Sequence, residues 1–126
     1  VTLDGLRILL VEDEGMIAML VKSMLVSIGC NVVGVAGRVP DAIKKVGTLS
    51  FDVALLDINL AGTLSYPVAD ALRSRGMPFI FATSYGRGAL PDEMYDAPML
   101  SKPFAVNQLE AALNDVRDSL AKSSND

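Results

Sequence analysis

The sequence predicts a single doubly wound α/β domain, a five-stranded parallel sheet covered by helices on both faces. Three observations carry that prediction. Short apolar runs alternate five times with stretches at helical spacing. One run, Phe51 to Leu56, is apolar on both faces apart from Asp52, and a strand without a polar face has to be covered on both sides, as in parallel sheets built from strand–helix–strand units. The chain has 126 residues, 51% of them apolar and 21% charged, enough for one domain that buries about two-thirds of the surface exposed by its unfolded form.

Leu6 to Val11 is an aliphatic run of strand length between Gly5 and an acidic turn. Ile17, Leu20, Val21, Met24 and Ile28 then recur at helical spacing before Gly29, a usual helix stop. Core packing is the favoured reading for Met16, Met24 and Cys30, since Met and free Cys are commonly buried. Asn31 to Val35 is the second strand, and Pro40 opens a short helix with Ile43 and Val46 inward and Gly47 as its stop. After the third strand, Gly62 begins a loop, Pro67 starts a helix carrying Val68, Ala71 and Leu72, and Gly76 ends it. Phe79 to Ala82 is the fourth strand and Pro98 to Leu100 the fifth. Between them Gly86, Gly88, Pro91 and Pro98 interrupt the fourth helix, which is expected to be short or irregular. The last helix has Leu109, Ala112, Leu113, Val116 and Leu120 on one face. No linker or repeat divides the chain, so residues 1–126 read as one domain, with a core from about 6 to 120 and a polar tail over 122–126.

Composition removes several functions. With 11 basic and 15 acidic residues the net charge is −4, and no basic stripe exists, so nucleic acid is not an expected ligand. The chain has no histidine and one cysteine, which excludes an internal disulfide, a structural zinc site and a histidine-based triad. The single cysteine suits a reducing compartment, and a cytoplasmic location is expected. The longest greasy stretch, Met16 to Val26, is broken by Lys22 and Ser23 and falls short of the roughly 20 residues that span a bilayer.

In an open parallel sheet, ligands bind beyond the carboxyl ends of the strands. Those ends carry Glu12-Asp13-Glu14, Asp57, Thr83 and Ser101-Lys102. Singly, each is ordinary: acids can serve a helix dipole, Asp a turn, and Lys the solvent. Together they form a coherent set. Carboxylates gathered at one edge repel unless a cation joins them, and an oxygen-only donor set suits Mg2+ (or Mn2+) rather than zinc. An aspartate can also act as a nucleophile toward phosphorus where a metal and an ammonium neutralise the developing charge. Lys102 and the Thr83 hydroxyl are the obvious donors.

From Leu6 to Leu120 the chain resembles the receiver domain of bacterial two-component response regulators. The resemblance rests on Leu9-Leu10-Val11-Glu12-Asp13-Glu14, Leu55-Leu56-Asp57-Ile58-Asn59, Ala82-Thr83 and Lys102-Pro103-Phe104, in order and at receiver-like intervals. It implies a flavodoxin-like (βα)5 fold with strand order 2-1-3-4-5. Asp57 matches the phosphoacceptor, while Asp13, Asp57 and the Asn59 main-chain carbonyl match metal ligands. Glu12 matches the acid that usually acts through water, and Thr83 and Lys102 match the groups that contact the phosphoryl group. The implied function is a phosphoacceptor signalling domain of a phosphorelay. Such a domain promotes only its own phosphorylation and dephosphorylation. Its donor is a phosphohistidine on a histidine kinase or histidine phosphotransfer protein, docking on the outward edge of the first helix near Glu14 and Lys22 and on the loop after the fifth strand. No output domain follows the last helix, so the signal is expected to pass by contact with a downstream protein or by relay.

Two departures from the usual receiver pattern stand out. Three positions before the lysine, Met99 replaces the usual aromatic switch residue, and Ala61 replaces the usual proline four residues after the acceptor. The stretch Pro78-Phe79-Ile80-Phe81-Ala82-Thr83-Ser84-Tyr85-Gly86 is similar to the receiver subgroup nicknamed FAT GUY, which typically lacks that aromatic and has an irregular fourth helix. Switching is therefore expected through Thr83 and Tyr85 and the ordering of 84–97. Two alternatives accompany this reading: a non-phosphorylated binding module on the same fold, disfavoured because every site position is filled, and a small aspartate-nucleophile phosphohydrolase, disfavoured because Asn59 stands where a second acid is needed.

Overall fold

The structure is a computed structural model that describes residues 3–84 and 97–124, with side chains to residue 120. Five strands, β1 (Arg7–Val11), β2 (Asn31–Ala36), β3 (Val53–Asp57), β6 (Phe79–Thr83) and β7 (Met99–Ser101), form one sheet in the order β2-β1-β3-β6-β7. Every neighbouring pair is parallel. A two-residue hairpin, β4 (Asn59–Leu60) with β5 (Thr63–Leu64), lies between β3 and α3. With that hairpin set aside, the order is the expected 2-1-3-4-5, and the fold is the flavodoxin-like receiver fold. The helices among the described residues are α1 (Gly15–Ser27), α2 (Val39–Thr48), α3 (Tyr66–Ser74) and α4 (Val106–Ser124). None is long and apolar enough to cross a membrane.

The period of two along the central strands sorts the core into two layers. Leu9, Val11, Ala54, Leu56, Phe79 and Phe81 point to one face and meet α2 and α3 through Ala42, Val46, Val68 and Leu72. Ile8, Leu10, Val53, Leu55, Ile80 and Ala82 point to the other and meet α1 and α4 through Val21, Leu25, Leu109 and Leu113. This is why β3 has no polar face until Asp57. Asp52, the exception just before the strand, accepts from the Arg7 main-chain N–H at 2.8 Å and from its guanidinium at 3.1 Å, fixing the entry of β3 beside β1.

Gly29 and Gly76 end their helices as expected, with φ of +94° and +68°. The Gly29 N–H donates to the Val26 carbonyl and the Cys30 N–H to that of Leu25, and Gly76 and Met77 repeat the pattern on Arg73 and Leu72. Gly47 does not act as a stop, because α2 runs through it to Thr48. The inward faces also need correction. In α2 the buried pair is Ala42 and Val46, four apart, while Ile43 is exposed. In α1, Ala18, Val21 and Leu25 are buried, and Met16 and Leu20 are 86% and 58% exposed. Apolar type alone set that stripe too wide, since the layer facing α1 accepts a narrower face. Cys30 is buried as expected, and burial followed by the nearby Asp4 charge pushes its thiol pKa up.

β2 is an edge strand. Its register against β1 slips between Ile8 and Leu9, leaving Val33 as an extra residue between Val32 and Gly34. Val33 and Val35 are both exposed.

Candidate functional site

The carboxyl ends of β1, β3, β6 and β7 converge on one edge of the sheet, where the sequence placed its polar set. A cleft of about 390 Å³ opens there, lined by Asp13, Asp57, Asn59, Thr83 and Lys102 among others. Glu12, only 5% exposed, lies behind the cleft rather than on its wall. One oxygen from each of Glu12, Asp13 and Asp57 lies within 4.8 Å of the other two. An oxygen-only trio at that spacing fits a hard divalent cation.

Lys102 organises the site. It follows β7 directly, and its main-chain N–H donates to the Thr83 carbonyl at 2.8 Å, which extends the ladder by one step. Its ammonium donates to Glu12 Oε1 at 2.8 Å and to Asp57 Oδ2 at 2.9 Å. Burial pulls the Lys102 pKa down, but the hydrogen bonds and charges of Glu12 and Asp57 outweigh it, and the net displacement is upward. The lysine is therefore a held cation. Glu12 Oε2 accepts from the Glu14 main-chain N–H at 3.2 Å, so both of its oxygens are engaged. Among the described residues, every buried side-chain nitrogen and oxygen has a partner.

The surroundings of Asp57 are built with equal definition. Asp57 ends β3 opposite Ala82 and is half-buried. Its Oδ1 accepts from the Asn59 N–H at 3.3 Å. Asn59 turns its side chain back into the hairpin, where Oδ1 accepts from the Gly62 N–H at 2.8 Å. Ala61 has φ +53° and Gly62 φ +87°, the pairing of signs that a tight two-residue hairpin requires. Ala61 thus departs from proline for a physical reason: a ring that fixes φ near −65° could not occupy this turn.

Thr83 is 2% exposed at the end of β6 and contributes to the cleft. Met99 sits opposite Phe81 and packs against the α2/α3 layer. Tyr85 and the interrupted fourth helix lie outside the described residues. Sequence reasoning missed Ser65, a wholly buried residue whose hydroxyl donates to the Asp57 main-chain carbonyl at 2.6 Å. The only signal for it was a Ser before Tyr66-Pro67, which reads as a helix cap.

An acidic cleft with a half-buried lysine, at the carboxyl edge of a parallel sheet in this order, defines a receiver-type signalling domain. A family model described as response regulator receiver domain matches residues 8–114, and the chain belongs to that family. The protein is 33% identical over 112 residues to the phyllosphere-induced regulator PhyR of Methylorubrum extorquens, covering 86% of this chain and 42% of that protein. It is 28% identical to the sensory transduction protein LytR of Staphylococcus haemolyticus, covering 94% and 48%. The chain thus spans less than half the length of these relatives. Among solved structures, SdrG of Sphingomonas melonis Fr1 superposes with a TM-score of 0.78 at 37% identity, covering 89% of this chain and 96% of that one. PhyR of Brucella abortus gives 0.81 at 27% identity, covering 95% and 51%.

Proposed function

We propose that this domain accepts a phosphoryl group on Asp57 from a phosphohistidine and signals through the resulting change in conformation. The observation that carries this reading is the Asp57 carboxylate, held at 2.9 Å by Lys102 and gathered with Asp13 and Glu12 at one sheet edge. In the reaction an Asp57 carboxylate oxygen attacks phosphorus, an O–P bond forms, and the N–P bond to the donor imidazole breaks, with the electron pair leaving on nitrogen. The Lys102 ammonium and the Thr83 hydroxyl are the donors toward the phosphoryl oxygens, where charge develops. Asp13, Asp57 and the Asn59 carbonyl would hold Mg2+ (or Mn2+), with Glu12 acting through water. When bound, the ion neutralises charge on the carboxylates and on the phosphoryl oxygens.

The donor is a histidine kinase or a histidine phosphotransfer protein, which suits a chain without histidine. It docks on α1 and on the loop after β7. Exposed Met16 and Leu20 support that placement, beside an apolar recess of about 330 Å³ lined by Leu20, Met24, Pro103 and Phe104. The recess shares Ile17, Ser84 and Lys102 with the acidic cleft, so a partner seated there reaches the acceptor. Residues 1–126 act as one cytoplasmic receiver domain, with a downstream protein as target. The related PhyR of Bartonella quintana is described as an anti-anti-sigma factor.

The test is incubation with acetyl phosphate and magnesium followed by intact mass. The chain should gain one phosphoryl group, and Asp57→Asn should gain none. Labelling of Asp57→Asn at the wild-type rate overturns the assignment.

A further inference from the structure

We propose that Ser65 is a positioning residue for phosphoryl transfer, setting the acceptor's main chain and the loop that carries Asn59; this rests on the phosphoacceptor reading above. Ser65 is 0% exposed and does not line the cleft, so it acts through Asp57 and not on a substrate. It stands at the N-cap of α3, where a serine hydroxyl ordinarily accepts from the first free N–H groups of the helix. Here it makes no such bond. Its Oγ donates instead to the Asp57 carbonyl, eight positions earlier, at 2.6 Å. Its own N–H donates to the Ile58 carbonyl at 2.8 Å, while its carbonyl accepts from Val68 at 2.9 Å and begins α3. One residue therefore fixes two successive peptides of the acceptor segment and starts the next helix.

The loop between these anchors is cross-tied further. Asn59 pairs with Leu64, Leu60 pairs with Thr63, and the Asn59 side chain accepts from Gly62. The next residue, Tyr66, packs edge-on against Phe81 at 6.3 Å, which holds the start of α3 to β6. Without the Ser65 hydroxyl the Asp57 carbonyl loses its partner, and a polar group buried without one drives a local rearrangement. Rotation of that peptide would move the root of the Asp57 carboxylate and the Asn59 carbonyl together. Both assigned metal ligands on this segment thus depend on the bond between the Ser65 hydroxyl and the Asp57 main-chain carbonyl.

The experiment compares Ser65→Ala with Val46→Ala, a core truncation in α2 that lowers stability away from the site. Labelling by acetyl phosphate at saturating donor and magnesium is followed by intact mass, and magnesium is titrated against amide spectra of each chain. Ser65→Ala should label about tenfold more slowly or worse, because small misplacements of a reacting group are costly. Its magnesium affinity should fall by about tenfold, as for other residues that orient metal ligands. In the metal-free chain its Asn59 and Gly62 amide signals should already be displaced. Val46→Ala should melt earlier yet label and bind magnesium as wild type does. Ser65→Cys keeps the volume and offers only a weak S–H donor, so it gives the same readout should the alanine variant not fold. Wild-type labelling and magnesium binding in the serine variants, or an equal loss in Val46→Ala, overturns the inference alone. Failure of the wild-type chain itself to label overturns the phosphoacceptor reading, and this inference with it.

Discussion

Lys102 and Asp57, 45 positions apart in the chain, meet at 2.9 Å across the carboxyl edge of the sheet. The same ammonium reaches Glu12, so one cation spans the ends of the first, third and last strands of the sheet. In the state described here it offsets part of the charge of three clustered carboxylates.

Lys102→Met should lower stability by about 2 kcal/mol, since hydrogen bonds to charged groups are lost and two partly buried carboxylates keep their mutual repulsion. The sign with pH follows from the raised folded pKa. The lysine's contribution is fully present below its ordinary value of 10.5 and is lost as pH climbs through the higher folded value. Denaturant midpoints should converge for wild type and variant only in strongly alkaline buffer. Parallel midpoint curves at all pH values would contradict the pairing.

Magnesium should raise the melting temperature of the wild-type chain, with a stabilisation of about 2.7 kcal/mol once the ion stands at a hundred times its dissociation constant. Asp13→Asn should abolish that response. Without metal the variant should be at least as stable as wild type, because one of three close negative charges has gone. Scanning calorimetry with and without magnesium reads both effects. A metal response that survives the substitution removes Asp13 from the ligand set.

At the opposite end of the sheet, Asp52 should titrate below its ordinary value of 3.8. Burial acts upward on this carboxyl, but the hydrogen bonds and charge of Arg7 prevail. Stability from this pair is present above 3.8 and disappears as pH falls through the lower folded value. Carboxyl carbon shifts followed through an acid titration should show the depressed midpoint, and Arg7→Ala should return it upward. An unmoved midpoint in that variant would remove Arg7 as the cause.

Ala61→Gly should stabilise the hairpin by up to about 1 kcal/mol, because a residue with a Cβ is strained at φ +53° and glycine is not. Ala61→Pro should destabilise it and slow labelling of Asp57, since the ring cannot take that φ and the turn positioning Asn59 must open. Chemical denaturation and intact-mass labelling check the two directions.

The alternation of strands with helices and the polar residues at the strand ends were legible because parallel packing enforces short apolar runs and leaves chemistry to the carboxyl edge, whereas the strand order was legible only through the resemblance to receiver domains. Glycine stops at 29 and 76 were equally readable, whereas Gly47 shows that glycine permits a stop without requiring one. The inward face of α1 was read too wide because apolar identity does not report which of Leu20 and Ala18 the sheet has room to cover. Ser65 escaped notice because its partner is a main-chain atom and no local pattern records that pairing. The hairpin was hidden for a related cause: it uses an alanine at positive φ, where turn rules look first for asparagine or aspartate.

The slip in β2 at Val33 bears on how copies of this chain behave when concentrated. A straight outer strand with apolar side chains is a template onto which another chain's backbone can zip. The extra residue bends and over-twists the strand, so its outward N–H and C=O groups lose the even spacing such zipping demands. Val33 and Val35 can then stay exposed at this margin without recruiting a second sheet, and removal of the extra residue should convert a quiet border into a seed for aggregation.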